Sequence, residues 1–507
     1  MKRRDFLVAT AASGAMLGMP GLLHAVGTGL SSHVPDNPFL SWFNVDEAVM
    51  RRVMSELSAH GADTADLYFE HNQGNSIAME DGIVSSARSW IDQGVGLRVV
   101  VGDQTGYAYT EDLSVEAMLK AARTAAAIAK GSKAVPPQHF NASRAGDMYR
   151  IAMPWSDVKI DDKLARVRKL ESLARHQDAA VKKVTINWSD YDQKVVIATL
   201  DGRVVADYRP MTRLWCTVTA EKKGVQQSTS ANLSGRYGMD HYTDDQLQAL
   251  AKKAVDNTLV LFDARRPEAG EMPVLLAAGA SGILLHEAIG HGMEADFNRK
   301  GTSIYSDMLN KKVANPHVTI VDQGTLAYER GALNYDDEGN PAQRNLLVEN
   351  GVLRGYLHDS ISARHYKVPP GGSGRRESYR HAPMPRMTCT LMENGPHSRD
   401  EMIASMKKGI VAETYTNGQV SIGAGDFTFY IKNGWLVENG KITAPIKDCN
   451  IIGNGPQVLK DITMVGNDSR MDTGGWTCGK NGQSVPVSLG MPSVLVSKMT
   501  VGGEHAG

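Results

Sequence analysis

Apolar residues recur at helical spacing in four long segments of the first half of the chain. These segments cover residues 45–63, 114–131, 163–178 and 244–264. A period near 3.6 residues predicts amphipathic helices there. Residues 65–110 and 182–221 instead alternate between apolar and polar positions, which predicts strands. We therefore expect an N-terminal α/β domain over residues 45–265.

Two Asp-Gly pairs in this half mark turns between the predicted strands. They stand at Asp81-Gly82 and Asp201-Gly202, each with apolar alternation on both sides. Asp-Gly is a preferred pair for the tight turn of a β-hairpin. Both positions therefore predict hairpins.

The pattern changes after residue 265. Residues 265–273 form a polar segment with two prolines, which is typical of a linker, and residues 273–279 predict a buried strand that leads into a helix. Beyond that helix the pattern is mostly strand and turn, with Asn350-Gly351 and Asn439-Gly440 as further hairpin signals. The sequence thus predicts an α+β fold, with a β-rich C-terminal domain over residues 270–507 that carries the helix.

Composition places the chain among ordinary globular proteins. It has 507 residues, of which 42% are hydrophobic and 22% charged, with a formal net charge of -1. No overall basic field favours nucleic acid, so we expect no nucleic-acid partner. The four cysteines are far apart and form no C-x-x-C pair, which argues against a disulfide framework or a zinc ribbon.

Residues 1–27 have the order of regions found in an export signal. Arg3 and Arg4 precede Phe6 and a mild apolar stretch that ends in small residues. This order predicts a twin-arginine-type signal peptide, too short and too rich in glycine and alanine to span a membrane. We expect a periplasmic or otherwise exported protein without stable membrane association after export. The alternative is a cytoplasmic protein with two incidental arginines.

The segment LLHEAIGHGMEAD, residues 284–296, resembles a zinc-protease signature with one residue too many. His291 follows His286 by five residues rather than four. In a regular helix this spacing leaves the two side chains about 140° apart around the axis. Either the helix ends at Gly290, or it contains one wide turn that brings the histidines together. Gly290 and Gly292 tolerate irregular backbone, so a shared metal ion remains compatible with the spacing.

Glu287 stands where zinc hydrolases place the general base that takes a proton from the attacking water. A catalytic zinc generally has three protein ligands and one open position. Two ordinary polar histidines are the alternative. Spacing alone leaves the third ligand open among a carboxylate, a distant histidine and a cysteine, and the candidates are Glu294, Asp296, His358, His365, His381 and the four cysteines.

Several further segments carry a family resemblance. They are HEAIGHGMEADFNRKG, SARSWIDQGVGLRVVVGDQTGYAY, GGSGRRESYRHAPMPRMTCT, MVGNDSRMDTGGWTCGKNGQSVPVSLGMPS and the closing MTVGG. In this order they resemble the TldD/PmbA family of metallopeptidases, in which H-E-x-x-x-H is the usual motif. The resemblance runs from about residue 45 to the C-terminus and is specific, because unrelated motifs follow one another in the family's order.

The resemblance implies that Cys478, in CGKNGQS, is the third ligand of a Zn²⁺ ion beside His286 and His291. It implies a TldD-type subunit that hydrolyses peptides or unfolded polypeptides inside an enclosed dimer cavity. The dimer would be a homodimer or a heterodimer with a PmbA/TldE-like subunit. The alternative is a non-catalytic modulator or peptide-binding protein with a structural metal. Glu287 separates the two, since a structural site needs no general base.

A glycine- and arginine-rich segment, residues 371–387, offers groups that could bind a substrate. Arg375 and Arg376 could bind a carboxylate or main-chain carbonyls, and Tyr379 or His381 could donate a hydrogen bond to a developing oxyanion. We interpret these four as candidate substrate-binding residues. A structural loop is an equally good interpretation of the same residues.

Overall fold

The computed structural model describes residues 33–128, 133–143, 147–421 and 424–503. The predicted signal peptide, residues 1–27, lies outside the described residues. The chain is a mixed α and β protein with a β-rich C-terminal region, which confirms the predicted fold class. Within the described ranges, every helix is too short or too polar to cross a membrane.

Among the described residues, the N-terminal half combines five helices with one large sheet. The helices are α1 (Pro38–Phe43), α2 (Glu47–Leu57), α3 (Val115–Ile128), α4 (Ile160–Arg175) and α5 (Asp244–Leu259), with short 3₁₀ turns at Met239–His241 and Val260–Phe262. The strands are β1 (Thr64–Glu80), β2 (Ile83–Val101), β3 (Gln104–Thr110), β4 (Asn141–Ser143), β5 (Val181–Thr199), β6 (Arg203–Lys222) and β7 (Val225–Gly235).

The seven strands form a sheet in the order β3-β2-β1-β5-β6-β4, and β7 pairs with the later part of β6. All neighbours are antiparallel except β4 and β6. Both predicted Asp-Gly hairpins are confirmed, since Asp81-Gly82 joins β1 to β2 and residues 200–202 join β5 to β6. Asp81 and Gly82 both have positive φ, as the tight hairpin turn requires.

Helices cover this sheet in two places, each with its own apolar cluster. In the first, α2 and α3 pack on residues such as Leu67 and Leu97 of β1 and β2. In the second, α4 and α5 pack on Ile186 and Val218 of β5 and β6. The helical spacing of apolar residues therefore buries one face of each helix against the sheet.

The C-terminal half contains many short strands and a few short helices. The strands are β8 (Gly270–Leu276), β9 (Ile320–Gln323), β10 (Arg344–Glu349), β11 (Val352–Leu353), β12 (Gly374–Arg375), β13 (Met384–Pro385), β14 (Cys389–Met392), β15 (Lys408–Val420), β16 (Asp426–Glu438), β17 (Lys441–Ile446), β18 (Cys449–Asn454), β19 (Ile462–Val465), β20 (Arg470–Met471), β21 (Thr477–Lys480), β22 (Gln483–Pro486), β23 (Ser488–Met491) and β24 (Val494–Gly502). The helices are α6 (Gly282–Leu285), α7 (Ala295–Arg299), α8 (Ser360–Tyr366), α9 (Arg399–Ser405) and α10 (Gly455–Asp461).

Two larger sheets organise these strands. One has the order β11-β10-β9-β14-β23-β20. The other has the order β15-β8-β24-β18-β16-β17, and an additional pairing of β15 with β16 closes five of its strands into a ring. One extended apolar cluster fills the space between these elements.

The predicted Asn-Gly hairpins are confirmed, with Asn350-Gly351 between β10 and β11 and Asn439-Gly440 between β16 and β17. The predicted linker was wrong at its end. Residues 270–273 already belong to β8, because this part of the chain pairs with β24 in the closed ring.

A buried ionic network joins the two halves. Arg98 of β2 donates to Asp66 of β1 and to Glu338 of the C-terminal half, both at 2.6 Å. Arg376 also reaches Asp66, at 2.9 Å. Because a buried charge is costly unless it is paired, these contacts fix how the N-terminal sheet lies on the C-terminal sheets.

Candidate metal centre

A wide helical turn carries both histidines of the sequence motif. The buried strand β8 leads into α6, and the helix widens into a five-residue π turn, His286–Gly290, before a 3₁₀ turn at His291–Met293. The extra residue in the turn compensates for the five-residue spacing, so the two rings lie with centroids 5.2 Å apart. The predicted wide turn is confirmed.

The glycines around this turn provide space rather than unusual backbone angles. Gly290 has φ of -57° and ψ of -48°, which is ordinary helical backbone. A Cβ at Gly290 would lie 2.1 Å from the sulfur of Met387, and one at Gly292 would lie 2.8 Å from the Tyr305 ring. Close packing is therefore the observed reason for glycine at both positions.

Cys478 meets the two histidines from a different part of the chain. It lies on β21, which pairs with β22 in a hairpin turned by Asn481 and Gly482, both with positive φ. Its sulfur is 3.3 Å from Nε2 of His291. The potential ligand atoms of His286, His291 and Cys478 all lie within 4.8 Å of one another, and each of these residues is at most 2% exposed.

A second layer of charged side chains holds His291 in place. Nδ1 of His291 is 3.0 Å from the Glu294 carboxylate, which leaves Nε2 facing Cys478. Glu294 in turn lies 3.1 Å from Nζ of Lys480, and Lys480 also donates to Asp296 at 2.8 Å. Arg386 donates to the carbonyl oxygen of Cys478. These contacts orient the ring as second-layer carboxylates do for metal-binding histidines.

The electrostatic surroundings favour a thiolate at Cys478. Burial alone would raise the pKa of the thiol, but the neighbouring imidazoles of His286 and His291 lower it to about 4. Burial would likewise raise the pKa of Glu294, yet Lys480 and His291 lower it to about 2. A deprotonated sulfur is the form that binds metal ions.

The three side chains fit a zinc ion. Two imidazoles and a thiolate are preferred zinc ligands, and three protein ligands leave one position open, as in catalytic sites. In a tetrahedral zinc site neighbouring ligand atoms are about 3.5 Å apart, close to the separation of Cys478 and His291. Neither ring nitrogen of His286 has a hydrogen-bond partner among the described residues, although the side chain is buried. A metal ligand would account for this unpaired imidazole.

Glu287 lies at the mouth of this centre. Its carboxylate is 3.8 Å from Nε2 of His291, and its side chain is 27% exposed. Glu287 and His286 line a cavity of about 210 Å³ together with the aromatic side chains of Tyr415, Phe429 and Trp476. The carboxylate is therefore open to a small molecule that enters the cavity, and His286 lines the same cavity.

The other ligand candidates are accounted for elsewhere. Glu294 and Asp296 lie beside the centre but bind His291 and Lys480. His358 packs against Tyr366, and burial lowers its pKa to about 4. The remaining cysteines are free and buried outside the three-residue group, namely Cys216, Cys389 and Cys449.

The candidate substrate-binding arginines are buried and bound to protein groups. Arg375 donates to the carbonyl oxygens of Met387 and Pro486. Arg376 donates to Asp66 and to the carbonyl oxygen of Asp337. These contacts support the interpretation as a structural loop, and substrate binding by either arginine stays a prediction.

Tyr379 is also part of the packing. Its hydroxyl donates to Asp92 at 2.9 Å, and its ring lies over Gly94, where a Cβ would come within 2.2 Å. His381 is half-buried, with Nδ1 3.3 Å from the Ser378 hydroxyl. The two motifs that contain Gly94 and Tyr379 thus fit together as one packed unit.

Sequence reasoning missed the second layer of the centre. Glu294 appeared only as a possible ligand, and the roles of Lys480 and Arg386 were not predicted. The Asn481-Gly482 pair was a usable signal, because it predicts the hairpin that presents both Cys478 and Lys480. The partners of Arg386 lie about ninety residues further along the chain, and no local pattern indicates them.

Three family domains match the chain in order. Residues 65–129 match the PmbA/TldA metallopeptidase domain 1, residues 154–262 the central domain and residues 269–503 the C-terminal domain. Together they cover well over half of the chain.

Curated relatives carry metalloprotease names. A "Metalloprotease TldD homolog" of Haemophilus influenzae is 40% identical over 476 residues, covering 92% of this chain and 99% of the relative. A "Zinc metalloprotease TldD homolog" of Saccharolobus solfataricus is 29% identical over 457 residues, covering 87% and 97%. These names and the family indicate a metalloprotease of the TldD type.

Solved structures share the fold at lower identity. TldE from Thermococcus kodakarensis superposes with a TM-score of 0.70 at 16% identity, covering 90% of this chain and 99% of that one. A Thermotoga maritima protein named as a proposed modulator of a DNA gyrase gives 0.73 at 23% identity, covering 87% and 96%. At these identities the likeness concerns the fold alone.

Proposed function

The chain belongs to the PmbA/TldD metallopeptidase family, and we propose that it is a zinc-dependent peptidase that hydrolyses peptides or unfolded polypeptides. One observation carries the proposal. His286, His291 and Cys478 converge in a buried group, and the Glu287 carboxylate stands beside them at the edge of a cavity. A structural metal alone would require no carboxylate open to that cavity.

Each side chain has a distinct task in the proposed reaction. His286, His291 and Cys478 would hold the zinc ion, which would lower the pKa of a water molecule and polarise the substrate carbonyl when bound. Glu287 accepts the proton of the attacking water and passes it to the leaving amine. Glu294 keeps the His291 ring in the tautomer that directs Nε2 toward the metal.

The size of the cavity supports an extended substrate. A volume of about 210 Å³ admits a few side chains at most, so a folded domain cannot present a peptide bond to Glu287. The expected enclosure within a homodimer, or a heterodimer with a TldE-like subunit, would restrict access further. The TldE fold of a structural neighbour is consistent with such a partner, and export through the N-terminal signal stays a prediction.

The test compares purified wild type with Glu287→Gln on an unfolded polypeptide and on the same polypeptide in its folded form. We expect Glu287→Gln to lower kcat by roughly a hundred- to ten-thousandfold, since it removes a general base. Zinc content should stay at the wild-type level because the three ligands remain. The wild type should cleave the unfolded polypeptide and spare the folded one.

Two other results would contradict the proposed function. A Glu287→Gln variant that keeps most of its kcat would assign the proton transfer to another group. A wild-type protein that binds zinc and cleaves no peptide would support the alternative, a modulator or peptide-binding protein with a structural metal.

A further inference from the structure

A groove continues the metal-site cavity toward the N-terminal sheet. A second cavity of about 380 Å³ shares Tyr415 and Trp476 with the metal-site cavity. A third, of about 470 Å³, shares Arg213 and Trp215 with the second. We call the second cavity the cationic groove. A chain that reacts at Glu287 would have to continue past the two shared aromatic side chains into this groove.

One wall of the cationic groove is the edge of a sheet. Five consecutive residues of β7, 228–232, line it. Among the described strands β7 pairs with β6 alone, so its other edge is not paired with a further strand. Such an edge can bind an extended peptide through main-chain hydrogen bonds, whatever the peptide's sequence. The groove is therefore shaped for an extended chain.

The opposite wall belongs to the segment that carries the third ligand. Thr473 to Trp476 line the groove immediately before Cys478. The main-chain amide of Gly475 donates to Asn232 of β7 at 3.0 Å, which joins the two walls. The groove is thus fixed in position relative to the metal centre.

Positive charge dominates the lining. Arg213, Lys253 and Lys432 face the groove against one carboxylate, that of Asp472. The Asp472 carboxylate already accepts a hydrogen bond from the Trp476 indole at 2.6 Å. The whole chain has a formal net charge of -1, so this excess of positive charge is a local feature. It favours an anionic group in the groove.

The surroundings of the Arg213 guanidinium favour the binding of an anionic group. Its guanidinium lies over the Trp215 ring at 4.3 Å, and its side chain is half-buried. Burial lowers the pKa of Arg213, and no carboxylate of the described residues offsets this effect. A carboxylate bound beside a half-buried guanidinium would satisfy it with charge-assisted hydrogen bonds.

We propose that the cationic groove binds a carboxylate of the substrate, so that the enzyme prefers peptides with an acidic group at a fixed distance from the cleaved bond. The acidic group is either a glutamate or aspartate side chain or a free C-terminal carboxylate. The inference rests on the proposed function in one respect, namely that the substrate is a peptide.

The test uses the full-length zinc-loaded protein and peptides of one length. A neutral parent peptide has glutamine at each position in turn replaced by glutamate or lysine, with the C-terminus free or amidated. We expect glutamate at one position to raise kcat/KM roughly fivefold over glutamine, and lysine there to lower it. A preference that survives amidation identifies a side chain as the source, and one that amidation removes identifies the C-terminal carboxylate.

Variants locate the effect in the groove. Arg213→Gln and Lys432→Gln should each bring the ratio of kcat/KM for the acidic peptide to kcat/KM for the neutral peptide closer to one. Lys253→Gln, at an exposed position, should act in the same direction without changing the core. The matched controls Arg52→Gln and Lys120→Gln, on exposed faces of α2 and α3, should keep the wild-type ratio.

A binding measurement makes the result independent of turnover. Fluorescence anisotropy of labelled peptides on the Glu287→Gln protein should give the same preference for the acidic peptide. Equal binding and equal kcat/KM for all three peptides would overturn the inference and leave the proposed function intact. Failure to cleave any peptide would contradict the proposed function. The anisotropy measurement would still show whether the cationic groove prefers the acidic peptide. Displacement of the acidic peptide by an equimolar single-stranded oligonucleotide would overturn the inference in favour of a nucleic-acid site.

Discussion

The orientation of His291 depends on one buried carboxylate. Glu294 lies 3.0 Å from Nδ1 of the ring, and it is fully buried with Lys480 as its charge partner. An unpaired buried carboxylate would be costly, so Lys480 makes the arrangement stable. The same hydrogen bond fixes which nitrogen of His291 faces Cys478 and the open position of the centre.

Replacing Glu294 by glutamine should therefore weaken metal binding without removing a ligand. We expect the zinc Kd of Glu294→Gln to rise by roughly ten- to a hundredfold, as for other second-layer partners of metal-binding histidines. Competition with a chelator measures it, and thermal unfolding of the metal-free protein checks the fold. Glu116→Gln, at an exposed position of α3, is the control and should bind zinc like the wild type. An unchanged Kd in Glu294→Gln would mean that His291 is oriented by other contacts.

At the scale of elements, the wide turn depends on how closely α6 approaches its neighbours. A Cβ at Gly282, the first residue of α6, would lie 2.6 Å from the main-chain nitrogen of Gly490 on β23. Main chain in a paired strand cannot move aside as a side chain can. The contact of α6 with β23 thus sets the position of the whole metal-binding segment.

Gly282→Ala should consequently lower the free energy of unfolding by about 1–3 kcal/mol, as overpacking of a core does. Gly290→Ala should cost less, because its clash is with the flexible end of Met387. Gly479→Ala is a matched control, since nothing lies within 4 Å of the Cβ it adds. Urea unfolding of the three variants checks this order, and a Gly282→Ala protein as stable as Gly479→Ala would contradict it.

The elements were largely predictable from sequence, whereas the contacts between them were not. The hairpin turns predicted at Asp81-Gly82 and Asn439-Gly440 were correct because a tight turn is a local property of two residues. The wide turn was one of the two arrangements that the spacing of His286 and His291 left open. The link to Cys478 came only from the family resemblance, since a ligand almost two hundred residues away leaves no local pattern. The ion pair of Arg98 and Glu338, which are 240 residues apart, could not be predicted from the sequence for the same reason.

At the scale of the whole molecule, buried carboxyl groups between the two halves make stability depend on pH. Burial raises the pKa of Glu70 to about 7, even though Gln193 and the Tyr379 amide donate to it. Between pH 4.5 and 7 the folded protein holds a proton that the unfolded chain has lost. The free energy of unfolding therefore falls as pH rises through this range. Burial and the neighbouring Glu338 carboxylate also raise the pKa values of Asp336 and Asp359, which act in the same direction.

Glu70→Gln removes one of these titrations and keeps the shape of the protonated side chain. Its stability relative to the wild type should rise by about 2 kcal/mol between pH 5 and pH 8. Chemical denaturation at both pH values measures the change, with Glu116→Gln as the control. Parallel pH profiles of wild type and Glu70→Gln would show that Glu70 does not titrate in this range.

We expect His286, His291 and Cys478 to bind one metal ion beside Glu287, and zinc analysis of cysteine variants decides whether they do. Each of the four cysteines is replaced by alanine in turn, and zinc per chain is measured with peptide hydrolysis. Cys478→Ala should lose zinc and activity together, because it removes the third ligand. The other three cysteines are Cys216, Cys389 and Cys449, which lie outside the metal-binding group. Alanine at any of these positions should leave the zinc content intact. Full zinc occupancy in Cys478→Ala would contradict the account and point to a carboxylate such as Glu294 or Asp296 as the third ligand.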